Sequence, residues 1–316
     1  MTQNRRRDSP VEHGFPHLET VRASLTALFR RLTPEGVRAY STSFAPADAA
    51  FDTADDLHLG AHRVAAAMVR ALGLPDARVV VAFRPMRDAA TVELTVGPEY
   101  FIEVNDRFRT HRRDLAAALA HEVTHVLLHR LDLRLPTTAE NEILTDTAAA
   151  YLGVGWLLLD AYREDVLTYQ KLGYLTPEEF GYVLAKRALL LDEDPSPWFT
   201  GPQAYEAYVR GRALAARDLR RAPLAAAGAT ERLRYARARR AGNRPTGDGT
   251  TGSDPRGGGT RGGGTFGGAA YRFEAHPDGQ RVSFPCPVCA GRLRVAVRGS
   301  QRVRCGVCRT VLECDT

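Results

Sequence analysis

The sequence predicts an α+β chain: a mainly helical, compact domain with a small sheet, followed by a flexible Gly-rich linker and a small β module. Three observations carry this. Across residues 15–221, apolar side chains recur at three- and four-residue spacing, as amphipathic helices require. Two short valine-rich runs and one alternating run interrupt that pattern, as strands would. Residues 241–270 are given over to glycine, threonine and proline, with no periodic apolar residue from which to build a core.

Size and composition agree. With 316 residues, 44% of them hydrophobic, the chain can bury one sizeable core and one small appended unit. The net charge is +6, but Lys171 and Lys186 are the only lysines, so arginine supplies nearly all the positive charge. That usage is typical of a GC-rich genome and weakens any inference from charge to nucleic acid. No apolar stretch follows the charged first residues, and the longest apolar run, Thr147 to Leu159, is shorter than the roughly 20 residues that span a bilayer. A soluble cytoplasmic protein with no membrane partner is expected. All five cysteines lie between Cys286 and Cys314, and clustered cysteines in a reducing compartment favour metal over disulfides.

In chain order, residues 1–14 are polar and expected to be disordered. Leu18–Leu32 and Asp55–Leu72 have helical periodicity, and residues 77–83 and 90–96 have strand composition. The run EYFIEVN at 99–105 alternates, as an edge or half-buried strand does. Helix formers fill His111 to Leu131, up to the break at Pro136. A second helix runs from Thr138 toward Tyr162, with Gly153 and Gly155 either kinking it or admitting a close neighbour. Gly173 closes what precedes it, and Thr176, Pro177 and Glu179 make a helix start with a capping box. Tyr174 and Tyr182 are expected to pack, and a further helix covers Pro202–Arg221. The domain of residues 15–221 is followed by an Arg/Ala-rich helical segment at 222–240 with a solvated face, the linker at 241–270 and a small unit at 271–316.

Chemistry concentrates in two places. The first is HEVTH at residues 121–125. On a helix, His121 and His125 stand one turn apart on one face, within reach of a single ion, and Glu122 lies beside it without ligating. A catalytic zinc usually takes a third protein ligand and leaves one position open. His129 lies on the same straight helix and cannot wrap around the same ion. Leu131 occupies the place of a third histidine in one common pattern, and no other histidine follows before His276. A carboxylate is therefore required. Glu142 on the next helix fits best, because Asp146 follows one turn later on the same face and can hold a histidine N–H; Glu140 points elsewhere and has Leu144 at that position. The pair His58 and His62 lacks a neighbouring acid and is expected on a solvated helix face.

His121-Glu122-x-x-His125 followed by Asn141-Glu142-x-x-Thr145-Asp146 resembles the gluzincin metallopeptidases, whose thermolysin-like members carry HExxH and then NExxSD; Thr145 replaces the serine. The resemblance spans residues 121–146, with no thermolysin-like sequence outside them, so a compact domain is expected. It implies a catalytic zinc on His121, His125 and Glu142, with Glu122 as general base and Asp146 supporting a histidine. By the same resemblance Tyr100, Phe101, Ile102, Glu103 and Val104 are the strand on which an extended peptide substrate would pair.

The second place is CPVC at 286–289 and CGVC at 305–308. Two such knuckles at this separation match one tetrahedral metal, here a structural zinc on Cys286, Cys289, Cys305 and Cys308. Leu293, Val295 and Val297 alternate with arginines, and Gly299-Ser300 supplies a turn. The unit resembles a zinc ribbon, with Cys314 left over as a free thiol. The chain is thus expected to be a zinc metallopeptidase with two zinc ions, whose ribbon recruits a substrate, a protein partner or nucleic acid. The competing class is a metal-binding protein that does not cleave, tethered to nucleic acid or a protein complex by its ribbon and Arg-rich segment.

Overall fold

The computed structural model describes residues 11–50, 56–94, 99–165, 169–242 and 271–316, and the chain divides into two units, Met1–Arg217 and Asp218–Thr316. The expectations for most of the polar N-terminus and most of the 241–270 linker lie outside the described residues. The architecture is α+β, mainly helical, with small sheets. No described helix is long and apolar enough to cross a membrane.

The first unit is built around helix α4, Leu115–Arg130. Its residues from Leu115 to Leu128 are buried except for the half-buried His125, so polar side chains on it sit in the interior and need partners. Helix α1, Leu18–Ala39, buries Val21, Leu25, Leu28 and Phe29 on one stripe and bends at Thr33-Pro34, where the periodicity predicts its end. A single turn, α2, at Pro46–Ala49 leads toward α3, Leu57–Ala71, which starts where the Asp56 carboxylate accepts from the His58 and Leu59 amides. Three strands follow: β1 (Arg78–Arg84), β2 (Ala90–Val92) and β3 (Glu99–Asn105). β3 lies in the middle of this sheet, parallel to β1 and antiparallel to β2.

Helix α5, Thr138–Leu152, opens with a capping box between Thr137 and Glu140 and ends at Gly153, whose φ of 104° only glycine adopts freely. The single helix expected toward Tyr162 is therefore two, and the short α6 occupies Trp156–Asp160. A small ladder of β4 (Arg163–Glu164) and β5 (Tyr169–Gln170) precedes α7, Pro177–Leu191, which starts at the expected Thr176–Glu179 capping box. Such a cap contributes about 1 kcal/mol. Helix α8 covers Pro202–Leu219. Around α4 pack α3, α5, α6 and the β2–β3 side of the sheet, which brings α5 against the HEVTH turn.

The second unit contains α9 (Ala229–Gly242), an antiparallel sheet in the order β6 (Arg272–Glu274), β7 (Arg281–Pro285), β8 (Arg292–Ala296), and a hairpin of β9 (Ser300–Arg304) with β10 (Val311–Asp315). Leu293 and Val295 are buried and Arg292 and Arg294 exposed, the alternation the sequence predicts; Val297 lies past the end of the strand. Helix α9 is solvated over most of its surface but anchored by Tyr235, which is buried against Tyr271 and Phe273 at ring distances of 5.3 and 5.2 Å. That aromatic joins the Arg-rich helix to the β6–β7–β8 sheet.

Candidate metal centres

His121 and His125 project from one side of α4 toward Glu142 on α5. The three facing atoms are His121 Nε2, His125 Nε2 and Glu142 Oε2, separated by 3.0, 3.1 and 3.3 Å. The other nitrogen of each ring is already engaged. His121 Nδ1 is 2.8 Å from Asp146 Oδ1, and since a carboxylate only accepts, the ring donates there. Thr145 Oγ1 donates to the Asn141 carbonyl at 2.9 Å, which leaves it to accept from His125 Nδ1 at 3.2 Å. With each Nδ1 so engaged, both Nε2 atoms face each other and one carboxylate oxygen.

Three lone-pair donors this close repel unless positive charge lies between them. Two ligands on a tetrahedral zinc at 2.0–2.1 Å are about 3.3–3.4 Å apart, close to the spacing found here. The same demand appears in the protonation equilibria. Burial lowers the His121 pKa, but its hydrogen bonds to the Asp146 and Glu142 carboxylates outweigh it and lift the ring to about 10. Burial raises Glu142, yet the two histidines pull it down to about 2. The cluster could hold a metal ion, and the donor set of two imidazoles and one carboxylate suits zinc.

Glu122, one residue along α4, is buried beside this group but outside it. Burial pushes its carboxyl above the usual range, against the pull of His121 and His125. Asp146 is fully buried and clasped by backbone: the Tyr174 amide and the Leu175 amide, the latter at 3.0 Å, both donate to its Oδ2. Gly173 makes the clasp possible. Its φ is 81°, and a Cβ there would sit 2.6 Å from Asp146 Oδ2. Lys171 Nζ holds the same loop through the carbonyls of Tyr174 and Leu175.

This loop is what sequence reasoning missed. Tyr182 is wholly buried, as a packing tyrosine should be, but Tyr174 is 52% exposed and its ring stacks on that of His121 at 6.1 Å. Gly173 was legible only as a helix stop. On the other side of His125 opens a cleft of about 260 Å³ with Leu94, Leu128 and Leu133 among its walls and His129 and Arg134 beside them. His129 thus lines the approach and stands outside the His121, His125, Glu142 group.

The strand assigned to substrate needs correction. Tyr100, Phe101, Ile102, Glu103 and Val104 lie on β3, which pairs with β1 along its whole length and with β2 at Ile102, Glu103 and Val104. The Phe101 carbonyl is also taken, by the Glu93 amide. Tyr100, Ile102 and Val104 are buried, and Glu103 is paired with Arg84. A backbone already paired on both sides cannot accept a third chain. The open edge of this sheet on the α4 side is β2.

In the second unit Cys286, Cys289, Cys305 and Cys308 converge, all buried. Cys286 Sγ is 3.6 Å from Cys308 Sγ, and Cys289 Sγ is 3.7 Å from Cys305 Sγ. Sulfurs on one tetrahedral zinc at about 2.3 Å are about 3.75 Å apart, so the cage already has the size of that ion. Crowding splits the thiols, with Cys286 the largest contributor in driving Cys289 up and Cys305 down. Cys314 is buried apart from the cage, and burial raises its thiol to about 11. The four cysteines form a buried cluster able to hold a metal ion such as zinc. Comparison with protein-family models, with curated proteins and with solved structures returns no match, so residues and geometry alone carry the functional reading.

Proposed function

We propose that this chain is a zinc-dependent metallopeptidase of gluzincin type, with Glu122 as general base and a structural zinc in its C-terminal ribbon. One observation carries the reading: His121 and His125 bring both Nε2 atoms to 3.1 and 3.3 Å from one Glu142 oxygen while Asp146 and Thr145 engage their other nitrogens. A group that only filled a core would have no use for that convergence, and a buried carboxylate such as Glu122 next to it would be a cost without return.

When bound, zinc supplies a Lewis acid for the substrate carbonyl and lowers the pKa of a water to about 7. Glu122 takes the proton of the attacking water and returns it to the leaving amine. Asp146 and Thr145 fix the ring orientations, so the histidines need no reorganisation during turnover. The β2 edge offers backbone groups to an extended peptide, and the cleft past His125 receives a side chain of it. The half-exposed Tyr174 ring borders the same site.

The test measures zinc content and peptide-library cleavage for the wild type and for Glu122→Gln. Two zinc ions per chain, with both kept by Glu122→Gln and cleavage reduced by about 10²–10⁴-fold, are expected. A single zinc per chain, or cleavage that survives Glu122→Gln, would overturn the reading. Two zinc ions with no cleavage of any library would assign the site to a binding protein instead.

A further inference from the structure

We propose that the outer face of the β6–β7–β8 sheet binds the phosphate backbone of duplex nucleic acid. The preference for arginine over lysine runs through the whole chain, but the excess of positive charge does not. Residues 1–217 hold 25 Lys and Arg against 29 Asp and Glu, whereas residues 218–316 hold 18 Arg against eight Asp and Glu. A compositional bias toward arginine would not sort itself between the two units in this way.

Register places the charge. Arg272 pairs with Ser283, and Ser283 with Arg294, so these three form a row across the sheet, with Arg292 opposite Pro285 and Arg281 opposite Glu274 in the flanking rows. Side chains alternate along each strand, so all of them leave the face opposite to Phe273, Val282, Leu293 and Val295. Helix α9 packs on the Phe273 side, and on the opposite face Arg272, Arg292 and Arg294 are exposed above the buried Ser283. Arg292 Nε donates to Ser283 Oγ at 2.8 Å, which lays its guanidinium along the sheet. The one acid there is Glu274, 3.6 Å from Arg294 Nε; Asp278 approaches Arg281 at 3.9 Å from the turn.

The character of the face selects the partner. The exposed large hydrophobic residues of the described second unit are Leu219, at the end of α8, Leu233, on α9, and Val311, on β10, none of them on a strand of this sheet. With no exposed aromatic among the described residues of this unit, the face has no stacking platform for unpaired bases. With no apolar wedge on the face there is nothing to insert into a lipid surface. Rigid guanidinium groups spaced across a sheet instead suit the closely spaced phosphates of a duplex, bound without sequence preference. This surface is independent of the peptidase reading.

The experiment uses the full-length, zinc-loaded chain and labelled DNA and RNA duplexes of about 20 base pairs, titrated at several salt concentrations. With about three to four phosphates contacted, the log–log salt slope is expected near −3. R272Q/R292Q/R294Q should weaken binding at least about tenfold and flatten that slope by about 2, while R234Q/R237Q/R240Q on α9 stays within about twofold of wild type. Zinc content of both variants checks that the ribbon is folded. A flat wild-type salt response, an undiminished affinity of the sheet variant with its zinc retained, an equal loss in the α9 variant, or tighter binding to single strands or to anionic phosphatidylserine vesicles would each overturn the proposal.

Discussion

The two donor clusters of this chain hold ligands at similar tetrahedral spacings, yet differ in everything around the donors. The cysteine cage consists of four sulfurs, all buried, on two local turns, with no side left open. The His121, His125, Glu142 group is partly exposed, at 11, 22 and 19% of its side chains, has three donors from two helices, and keeps an unused buried carboxylate beside it. A closed thiolate shell has no position for water and can only supply folding energy. A three-ligand group leaves a position for water, and here a cleft is lined by one of its members, His125. On the proposed reading chemistry belongs to the first unit and stability to the second, and each contrast between them can be tested.

The largest effect is expected where metal and folding are one. Structural zinc binding contributes on the order of 10–16 kcal/mol in small modules. Cys305→Ser should therefore unfold the ribbon, read as fast limited proteolysis confined to the second unit with the first left intact. Glu142→Ala should do the opposite, losing the zinc of the first unit while its helical circular dichroism persists, because α4 and α5 are held by apolar burial and a capping box rather than by the ion. Collapse of the first unit in Glu142→Ala would break the comparison, since both clusters would then be structural.

A smaller effect sharpens it. Asp146 touches no ligand position, only the far nitrogen of His121 and the backbone of residues 174–175. Asp146→Asn should lower zinc affinity about 10–100-fold, as loss of such a partner typically does, with zinc in the cysteine cage unchanged. Gly173→Ala should give a milder loss through the same clasp, because a Cβ is forced against the Asp146 carboxylate at an unfavourable φ. Competition with a chromophoric chelator measures both. An unchanged affinity in both variants would mean that the clasp only packs.

How much of this could be read beforehand depends on how local the encoding was. Helical spacing turns His121, His125, Glu142 and Asp146 directly into shared faces, and each C-x-x-C knuckle is a turn in itself, so both clusters were legible. Strand order was not. The alternation of Glu99–Asn105 is the same whether β3 is central or at an edge, and only the pairing of β2 with it decides. The Gly173–Leu175 clasp joins residues 28 and 29 positions apart, a contact no periodicity reports. In α9, one Tyr235 decides whether an Arg-rich helix floats or packs, and a solvated pattern hides it.

The smallest predicted difference is the most direct comparison, because each cluster has one threonine hydroxyl against a donor residue. Thr145 Oγ1 lies 3.2 Å from His125 Nδ1, and Thr310 Oγ1 lies 3.3 Å from Cys308 Sγ. Thr145 sets which histidine nitrogen carries the proton and hence where the lone pair points, whereas Thr310 only adds a hydrogen bond to a sulfur that three other sulfurs already confine. Thr145→Val should weaken zinc binding by a few-fold and reduce turnover alongside, with Thr145→Ser restoring both, since serine keeps the hydroxyl. Thr310→Val should leave ribbon zinc retention within about twofold, because a net neutral hydrogen bond contributes only about 1 kcal/mol against a far larger metal term. If the two valine variants behaved alike, hydroxyl support would be a generic packing effect, and the distinction between an oriented site and a merely enclosed one would fail at its finest level.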